Sequence, residues 1–246
     1  MKEIWNEKTA RWYSQALGYS SYPRNTMRRL LPRLGGIKSV LDVGAGVGAL
    51  SIPLAKVVKR VTALEPSQAM INILKRRIKR GKINNITVIE AGWGQVPLPC
   101  HDAVLAASVP IVLKDAASFI SQAEKVARVA VFVILGVHQE RNKFMFDELY
   151  PLLFGKEYPE KGDCLDFYST LHKMGIYADV DIYDYRFDQR FKDLDEAVDF
   201  WKEHMGLKTN EHDTILKDFL SRRLKIITGG YLLEIKKKSA LISWRW

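Results

Sequence analysis

The segment VLDVGAGVG at 40–48 constrains the fold of this chain more than any other. An apolar run from Val40 to Val43 is typical of a buried strand, and three glycines follow it at alternate positions. Glycine adopts left-handed backbone angles without strain and has no Cβ to obstruct a ligand above the turn. A strand that ends in such a turn predicts a nucleotide-type site at the carboxyl edge of an α/β sheet.

Two cofactors compete for this turn. Gly44, Gly46 and Ala49 satisfy the G-x-G-x-x-G/A pattern of dinucleotide sites, in which backbone N–H groups face a pyrophosphate. Asp42 argues against a dinucleotide, because a carboxylate repels a pyrophosphate placed beside it. S-adenosylmethionine has no phosphate and carries an ammonium and a sulfonium, which a neighbouring carboxylate attracts. The turn therefore favours S-adenosylmethionine, with an NAD-dependent oxidoreductase as the less favoured alternative.

Around this turn the chain resembles the class I S-adenosylmethionine-dependent methyltransferases. The stretch VLDVGAGVGALSIPLA at 40–55 is similar to their first motif, and VTALEPSQAM at 61–70 is similar to their second. The greatest similarity is to the broad ubiquinone/menaquinone-biosynthesis-like group. The resemblance implies an enzyme that moves a methyl group by in-line displacement and releases S-adenosylhomocysteine.

The resemblance also assigns residues to the cofactor. The glycine turn and Asp42 would surround the methionine end and the ribose, and Glu65 would accept hydrogen bonds from the ribose hydroxyls. Gly92 departs from the family, because many members have an adenine-binding acid at that place. The predicted cofactor-binding residues are Tyr13, Tyr22, Asp42, Gly44, Ala45, Gly46, Gly48, Glu65, Pro66, Ser67, Gly92, Trp93, Ala107 and Ser108.

The methyl acceptor leaves a weaker signature. Methyl transfer from a sulfonium needs mainly a nucleophile held close and on axis, without a metal. The segment AASVP at 106–110 lacks the [DN]-P-P-[YFW] motif of many methylases that act on amino groups of adenine, cytosine or glutamine. His138 is the one weak candidate for a general base, and a loop histidine without a catalytic role is the favoured interpretation. No metal site is predicted, because Cys100 and His101 lack ligand spacing.

A small-molecule acceptor is the favoured hypothesis, and two alternatives stay open: an RNA or protein methyltransferase, and a non-catalytic cofactor-binding protein. The net charge is +10, and it is unevenly placed. Asp163 to Asp218 holds fourteen acidic and seven basic residues, so this segment carries −7 and the remainder +17. A basic surface attracts nucleic acid, but no nucleic-acid module is recognisable, so a solvated helix surface is favoured over a binding site. The patterns do not indicate an oligomeric state.

The chain is expected to be cytoplasmic. It has two cysteines and a polar N-terminal segment, MKEIWNEKTARW, without the apolar core of a signal peptide. The apolar run from Ala130 to Val137 is too short to cross a bilayer, so no membrane span is predicted.

The fold class predicted from these patterns is α/β. Strands are expected at 39–43, 61–65, 86–90, 102–107 and 129–135, and helices at 48–58, 67–80 and 116–127. Strands rich in Val, Ile and Leu without alternation are typical of parallel strands covered on both faces. We therefore expect a doubly wound, mostly parallel seven-stranded sheet of the Rossmann-like methyltransferase type, with an antiparallel C-terminal strand and an α-helical cap.

Four segments follow from this interpretation. They are N-terminal helices closing over the cofactor at 1–38, the cofactor-binding Rossmann-like core at 39–138, a helical cap around the sixth strand at 139–228, and C-terminal strands completing the sheet at 229–246. The last segment has two apolar runs around a lysine-rich stretch, which predicts a hairpin.

Overall fold

A computed structural model describes residues 5–137, 144–159 and 162–246 of the chain. The helices are α1 (Glu7–Tyr19), α2 (Tyr22–Leu30), α3 (Ser51–Leu54), α4 (Gln68–Arg80), α5 (Pro110–Lys114), α6 (Ala116–Val126), α7 (Phe146–Phe154), α8 (Cys164–Lys173), α9 (Leu194–Met205) and α10 (Asp213–Arg223). The strands are β1 (Ser39–Val43), β2 (Arg60–Leu64), β3 (Ile86–Ile89), β4 (His101–Ala107), β5 (Ala127–Gly136), β6 (Asp179–Arg186), β7 (Gln189–Phe191), β8 (Lys225–Ile227), β9 (Gly230–Leu233) and β10 (Lys236–Arg245).

The main sheet has seven strands in the order β3-β2-β1-β4-β5-β10-β6. Strands β1 to β5 pair in parallel with their neighbours, and β10 runs antiparallel to β5. Every residue of β1 is buried, as expected for a strand with both faces covered. The predicted seven-stranded, mostly parallel sheet with an antiparallel C-terminal strand is confirmed.

The strand order places a ligand crevice beside β1. The chain moves outward from β1 to β2 and β3 on one side, and continues from β4 to β5 on the other. The order therefore reverses between β1 and β4, where Asp42 is paired with Leu105. In open α/β sheets the crevice for a ligand lies at the carboxyl ends of the strands at this switch point.

The helix predicted over 48–58 is wrong in length, because α3 covers only Ser51–Leu54. The reason is a long-range contact that ends the helix early. The side-chain nitrogen of Asn85 donates to the carbonyl of Ala55 at 2.8 Å and to that of Val58 at 3.1 Å. Carbonyls that would continue the helical ladder are therefore bonded to a residue 27 to 30 positions away.

The predicted C-terminal hairpin is also wrong. Strand β9 pairs with β7 and β8 in a separate three-stranded sheet, while β10 joins β5 in the main sheet. Gly230 at the start of β9 permits this arrangement: its φ is +142°, and a Cβ there would collide with the carbonyl of Phe191. The lysine-rich stretch at 236–238 begins β10 instead of forming a turn.

The chain divides into two compact units. The core unit comprises residues 22–137, 162–184 and 238–246, with most of the main sheet and helices α2–α6 and α8. The helical unit comprises residues 5–21, 144–159 and 185–237, with α1, α7, α9, α10 and the small sheet. The predicted N-terminal segment at 1–38 is thus divided, with α1 in the helical unit and α2 in the core unit. A capping role for the helical unit stays a prediction.

Each unit has its own apolar core. In the core unit, Phe119 and Phe167 are fully buried among side chains of the main sheet. In the helical unit, Trp12 and Trp201 are fully buried, and the indole nitrogen of Trp201 donates to the carbonyl of Phe144 at 2.7 Å. Large aromatic side chains bury much apolar area, so both clusters stabilise their units strongly. Among the described helices, none combines the length and the apolarity needed to cross a membrane.

Candidate functional site

The glycine turn that follows β1 has left-handed backbone at all three glycines, with φ of +67° at Gly44, +56° at Gly46 and +79° at Gly48. A Cβ at Gly44 would lie 2.6 Å from a methyl group of Val109, and one at Gly48 would overlap Leu74. A Cβ at Gly46 would meet nothing closer than a backbone oxygen at 4.0 Å. Packing therefore requires two of the glycines, and the third leaves free space where a ligand can approach.

The N–H groups of this turn are largely bonded within the protein. Those of Gly44 and Ala45 donate to the carbonyl of Leu64 at 2.8 and 3.1 Å. That of Gly48 donates to Ala45, and that of Gly46 donates to the carboxylate of Glu65 at 2.9 Å. A pyrophosphate site needs such donors free, together with a helix N-terminus, and α3 is a single short turn. This arrangement favours a phosphate-free ligand over a dinucleotide.

Glu65 lies directly after β2 and is only 4% exposed. One carboxylate oxygen accepts from Gly46 at 2.9 Å, and the other accepts from the backbone of Ser67 at 2.9 Å. Burial raises the pKa of Glu65, and these two backbone hydrogen bonds oppose the rise. Because each oxygen still has acceptor capacity, the fixed carboxylate can bind two neighbouring hydroxyls of a sugar.

Asp42 lies within β1 next to the turn and is 2% exposed. The hydroxyl of Ser51 donates to its carboxylate at 2.5 Å. Burial raises the pKa of Asp42 to about 7, the Ser51 hydrogen bond opposes that rise, and the negative charge of Glu65 adds to it. Two buried carboxylates thus share one site. Their ionised forms are favoured when a positively charged group lies nearby.

Ser51 was missed by the sequence reasoning. It is fully buried and begins α3. A serine at the start of the helix after the glycine turn was the available signal, but a hydroxyl there more often caps the helix than bonds an acid on the preceding strand. Its contact with Asp42 depends on the course of the glycine turn, which pattern analysis does not specify.

Two predicted residues lie at the end of β4, on the other side of the switch point. Ala107 ends the strand, and Ser108 follows with a left-handed φ of +55°. The N–H of Ser108 donates to the carbonyl of Ile134 at 2.8 Å, which holds this conformation. Left-handed backbone at a residue with a side chain costs about 1–2 kcal/mol, and such residues cluster at functional sites. The next residue, Val109, contacts the glycine turn at Gly44.

The second motif includes Pro66 and Ser67, which belong to the predicted adenine side of the site. Ser67 caps α4, because its hydroxyl accepts from the N–H of Met70 at 3.4 Å. Pro66 is exposed beside it. Tyr22 is buried in the core unit at the start of α2. Pro66 and Ser67 thus follow β2, and Tyr22 lies in the helix that precedes β1.

Gly92 lies in a tight loop after β3, and as a glycine it supplies no carboxylate. Its N–H donates to the side-chain oxygen of Gln95 at 2.6 Å, and the N–H of Gln95 donates back to its carbonyl at 3.1 Å. Trp93 packs against Phe119 with ring centroids 5.3 Å apart. Its indole nitrogen is buried without a hydrogen-bond partner among the described residues. The packing supports a core role for Trp93, and the unpaired donor leaves room for a ligand contact.

A nearby acid that sequence reasoning did not select is Glu90. It directly follows β3, and the pairing of Leu64 with Ile89 brings it beside Glu65 at the carboxyl edge of the sheet. The amide nitrogen of Gln68, oriented toward Glu90, donates to both carboxylate oxygens at 2.5 and 2.8 Å. An acid therefore follows the third strand, two residues before Gly92.

Two predicted residues, Tyr13 and His138, are not among the residues described above for the core unit. Tyr13 belongs to α1 in the helical unit, where its ring contacts Trp5 and Phe187, each with centroids 5.4 Å apart. His138 lies outside the described residues. The site described in the core unit therefore contains neither of them.

Comparison with known proteins agrees with this geometry. The family described as a methyltransferase domain matches residues 40–130. The protein named probable ribosomal RNA small subunit methyltransferase A in Methanosphaera stadtmanae is 33% identical over 82 residues, covering 33% of this chain and 30% of the relative. Ubiquinone biosynthesis O-methyltransferase of Methylocella silvestris is 36% identical over 96 residues, covering 37% and 36%. The chain spans about a third of the length of these curated relatives.

The fold is similar over a longer stretch. The crystal structure of a Bacillus halodurans protein proposed to be a methyltransferase superposes with a TM-score of 0.57 at 18% identity. The alignment covers 89% of this chain and 97% of that one. The seven-stranded sheet, the glycine turn and the family match agree with one another. The chain therefore has the Rossmann-like methyltransferase fold, and its residues 40–130 match the methyltransferase domain family.

Proposed function

We propose that the protein is an S-adenosylmethionine-dependent methyltransferase whose cofactor binds at the carboxyl ends of β1 and β2. One observation carries this proposal: in the glycine turn the N–H groups of Gly44, Ala45, Gly46 and Gly48 are already bonded within the protein, with the buried carboxylates of Asp42 and Glu65 beside it. Such a site suits a nucleoside that carries positive charge and vicinal hydroxyls. The four bonded N–H groups are not available to a pyrophosphate.

The residues fit this cofactor by position and chemistry. Glu65 would hold the ribose hydroxyls, because its carboxylate is fixed by two backbone N–H groups and keeps acceptor capacity. The open space at Gly46 would admit the ligand against the backbone. Asp42 would stabilise the positive charge through its ionised carboxylate, oriented by Ser51. S-adenosylmethionine supplies a methyl group on a sulfonium, from which the sulfur departs as a neutral thioether.

The remaining residues would complete the adenosine side. We propose that Pro66 and Ser67 line the adenine, and that Glu90, held by Gln68, takes the part expected of an acid near Gly92. Trp93 is a further candidate for this side, supported by its unpaired indole nitrogen among the described residues. Ala107 and Ser108 would border the methionine portion from the end of β4. Tyr13 and Tyr22 stay proposed contacts from the N-terminal helices.

We propose a small molecule as the methyl acceptor. The segment at 106–110 lacks the motif of amino-group methylases. One relative of the domain is a ubiquinone biosynthesis O-methyltransferase. The helical unit is proposed to act as a cap, because a lid that excludes water suits a compact acceptor. The general base, if one is used, stays open, with His138 as the weak candidate. We further propose a cytoplasmic location, which the two free cysteines support.

A second candidate function is methylation of RNA. The observation that favours it is the similarity of the domain to a ribosomal RNA methyltransferase, together with the positive charge outside residues 163–218. The two functions differ in the size of the product, which provides the test.

The test is methyl transfer from S-adenosylmethionine labelled on its methyl group, with separated cell fractions as acceptors. We expect the label in the low-molecular-mass fraction, and Glu65→Ala should abolish the incorporation. Label in RNA or in protein would replace the small-molecule hypothesis by the corresponding alternative. Specific binding of NAD⁺ with no binding of S-adenosylhomocysteine would overturn the methyltransferase proposal itself.

A further inference from the structure

The core unit has a strongly basic surface that the cofactor site does not use. Residues 43–89 contain nine basic residues and a single acid, Glu65, which is buried in the site. Eight of the nine basic side chains belong to exposed residues: Lys56, Lys59, Arg60, Lys75, Arg76, Lys79, Arg80 and Lys82. These eight are called the basic surface below. No exposed acid within 43–89 interrupts it.

Tertiary contacts bring the two parts of the basic surface together. Asn85 bonds the carbonyls of Ala55 and Val58, and its own carbonyl accepts from Val61 at 2.9 Å. The loop that carries Lys56 to Arg60 is thereby tied to the chain that follows α4. This loop leads into the amino end of β2, and the chain after α4 leads into the amino end of β3. The basic surface therefore gathers at the edge of the sheet opposite the cofactor site.

These cations are not neutralised by the protein. In the described part of the chain, no ion pair involves any of the eight residues of the basic surface, whereas Arg29 and Arg33 of the same unit pair with Asp181 at 3.5 and 3.4 Å. A surface kept only for solubility usually mixes both signs of charge. Adjacent like charges repel one another, so a bound polyanion would relieve this repulsion.

The composition of the basic surface identifies the kind of polyanion. Residues 43–89 contain no Phe, Trp or Tyr, so they offer no ring on which an unpaired base can stack. Within that range the exposed large apolar side chain is Val57, at 50% exposure, which is little anchor for a lipid surface. Arginine guanidinium groups match phosphate in a bidentate geometry. These features suit regularly spaced phosphates whose bases are already paired.

We propose that the basic surface binds the phosphate backbone of double-helical nucleic acid, independently of base sequence. The 13 residues of α4 begin at the cofactor site and end at the basic surface. Its basic residues, from Lys75 to Arg80, lie about 10 to 18 Å along the helix from its first residue, so the duplex would bind away from the methyl donor. Binding would localise the enzyme and does not depend on which acceptor is methylated.

The test measures binding of fluorescently labelled RNA and DNA duplexes of unrelated sequence over a series of salt concentrations. If about four phosphates are contacted, the logarithm of the association constant should fall with the logarithm of salt with a slope of about −4. The triple variant R76Q/K79Q/R80Q should bind at least about tenfold more weakly at low salt, with a slope smaller by about 2 to 3. A preference for RNA or for DNA would identify the source of the duplex.

The matched control is K114Q/K125Q/K173Q, which removes the same charge from exposed positions elsewhere in the core unit. It should change duplex affinity by less than about twofold, since these residues make no contact with the duplex. Equal losses in both triple variants, salt-independent binding, or tighter binding to phosphatidylserine vesicles than to duplexes would each overturn the proposal. Calorimetric binding of S-adenosylhomocysteine to both variants reports the methyltransferase site separately, so the two proposals can fail independently.

Discussion

The two units each bury carboxylates, but they treat them differently. In the helical unit, Asp188 is neutralised by Arg186 at 2.8 Å and accepts from the N–H of Ile235 at 3.0 Å. In the core unit, Asp42 and Glu65 accept only from neutral hydroxyl and backbone groups among the contacts described. No ion pair in the described residues involves either of them.

This difference separates a structural acid from a binding acid. A buried charge without a counter-charge is costly, so a fold retains it only where something else compensates. The salt bridge with Arg186 compensates the charge of Asp188 internally, and the hydrogen bond from Ile235 ties Asp188 to the chain before β10. Asp42 and Glu65 have no such counter-charge among the described residues, so a positively charged ligand would compensate them. Perturbed acids in a crevice at a switch point are therefore the best indication of the cofactor.

The largest expected effect is the loss of cofactor affinity caused by Glu65→Ala. Removing the carboxylate would eliminate the two proposed hydrogen bonds to the ribose, each worth about 1.5–3 kcal/mol when one partner is charged. The dissociation constant of S-adenosylhomocysteine should rise about a hundredfold, measured by isothermal titration calorimetry. The exposed Glu157→Ala is the matched control and should bind like the wild type. An unchanged dissociation constant in Glu65→Ala would remove this residue from the site.

The next effect is the pH dependence caused by Asp42. Because its pKa in the folded protein is about 7 and its unfolded value is 3.8, the folded state retains a proton that the unfolded state releases between these values. Stability is therefore lost as the pH rises from about 4 to 7. Asp42→Asn should flatten this profile by on the order of 2 kcal/mol, measured by urea unfolding at pH 5 and pH 8.

The affinity for the cofactor should depend on pH in the opposite direction, through the same residue. Ionised Asp42 attracts the positively charged cofactor, so wild-type affinity for S-adenosylmethionine should increase from pH 6 to pH 8. Asp42→Asn should bind more weakly and lose most of this increase. An identical pH profile in the variant would show that another group titrates.

A smaller effect on stability, and none on the cofactor, is expected for Asp188→Asn. The change weakens the pairing with Arg186 and places an amide N–H₂ where acceptors are needed, so unfolding should require about 1–2 kcal/mol less. Binding of S-adenosylhomocysteine should be retained within about twofold at a temperature where the protein is folded. A large loss of cofactor affinity would break the distinction between the two kinds of buried acid.

Among the variants of the cofactor site, the smallest effect is expected for Gly46→Ala. The left-handed φ of +56° costs the alanine about 1 kcal/mol, and the new methyl group occupies the free space above the turn. Affinity for S-adenosylhomocysteine should fall about tenfold with little change in fold, as circular dichroism would show. Gly36→Ala has a comparable left-handed φ of +80° and open space around it, and it should leave affinity unchanged.

The sequence predicts the parts of the fold that depend on local pattern. Buried strands such as β1 have continuous apolar runs, and the glycine turn with Asp42 and Glu65 has a fixed spacing along the chain. What it does not predict depends on contacts between distant residues. Asn85 shortens α3 from 30 positions away, and strand pairing places Glu90 beside Glu65. The acceptor site lacks such a pattern, because positioning a nucleophile requires no particular residue type.

The proposed function requires that the core unit binds S-adenosylmethionine and not a dinucleotide. The direct measurement is isothermal titration of the wild-type protein with S-adenosylhomocysteine, and in parallel with NAD⁺ and NADH. We expect one S-adenosylhomocysteine to bind per chain, with no heat of binding from either dinucleotide. Binding of NAD⁺ or NADH in the absence of S-adenosylhomocysteine binding would contradict it.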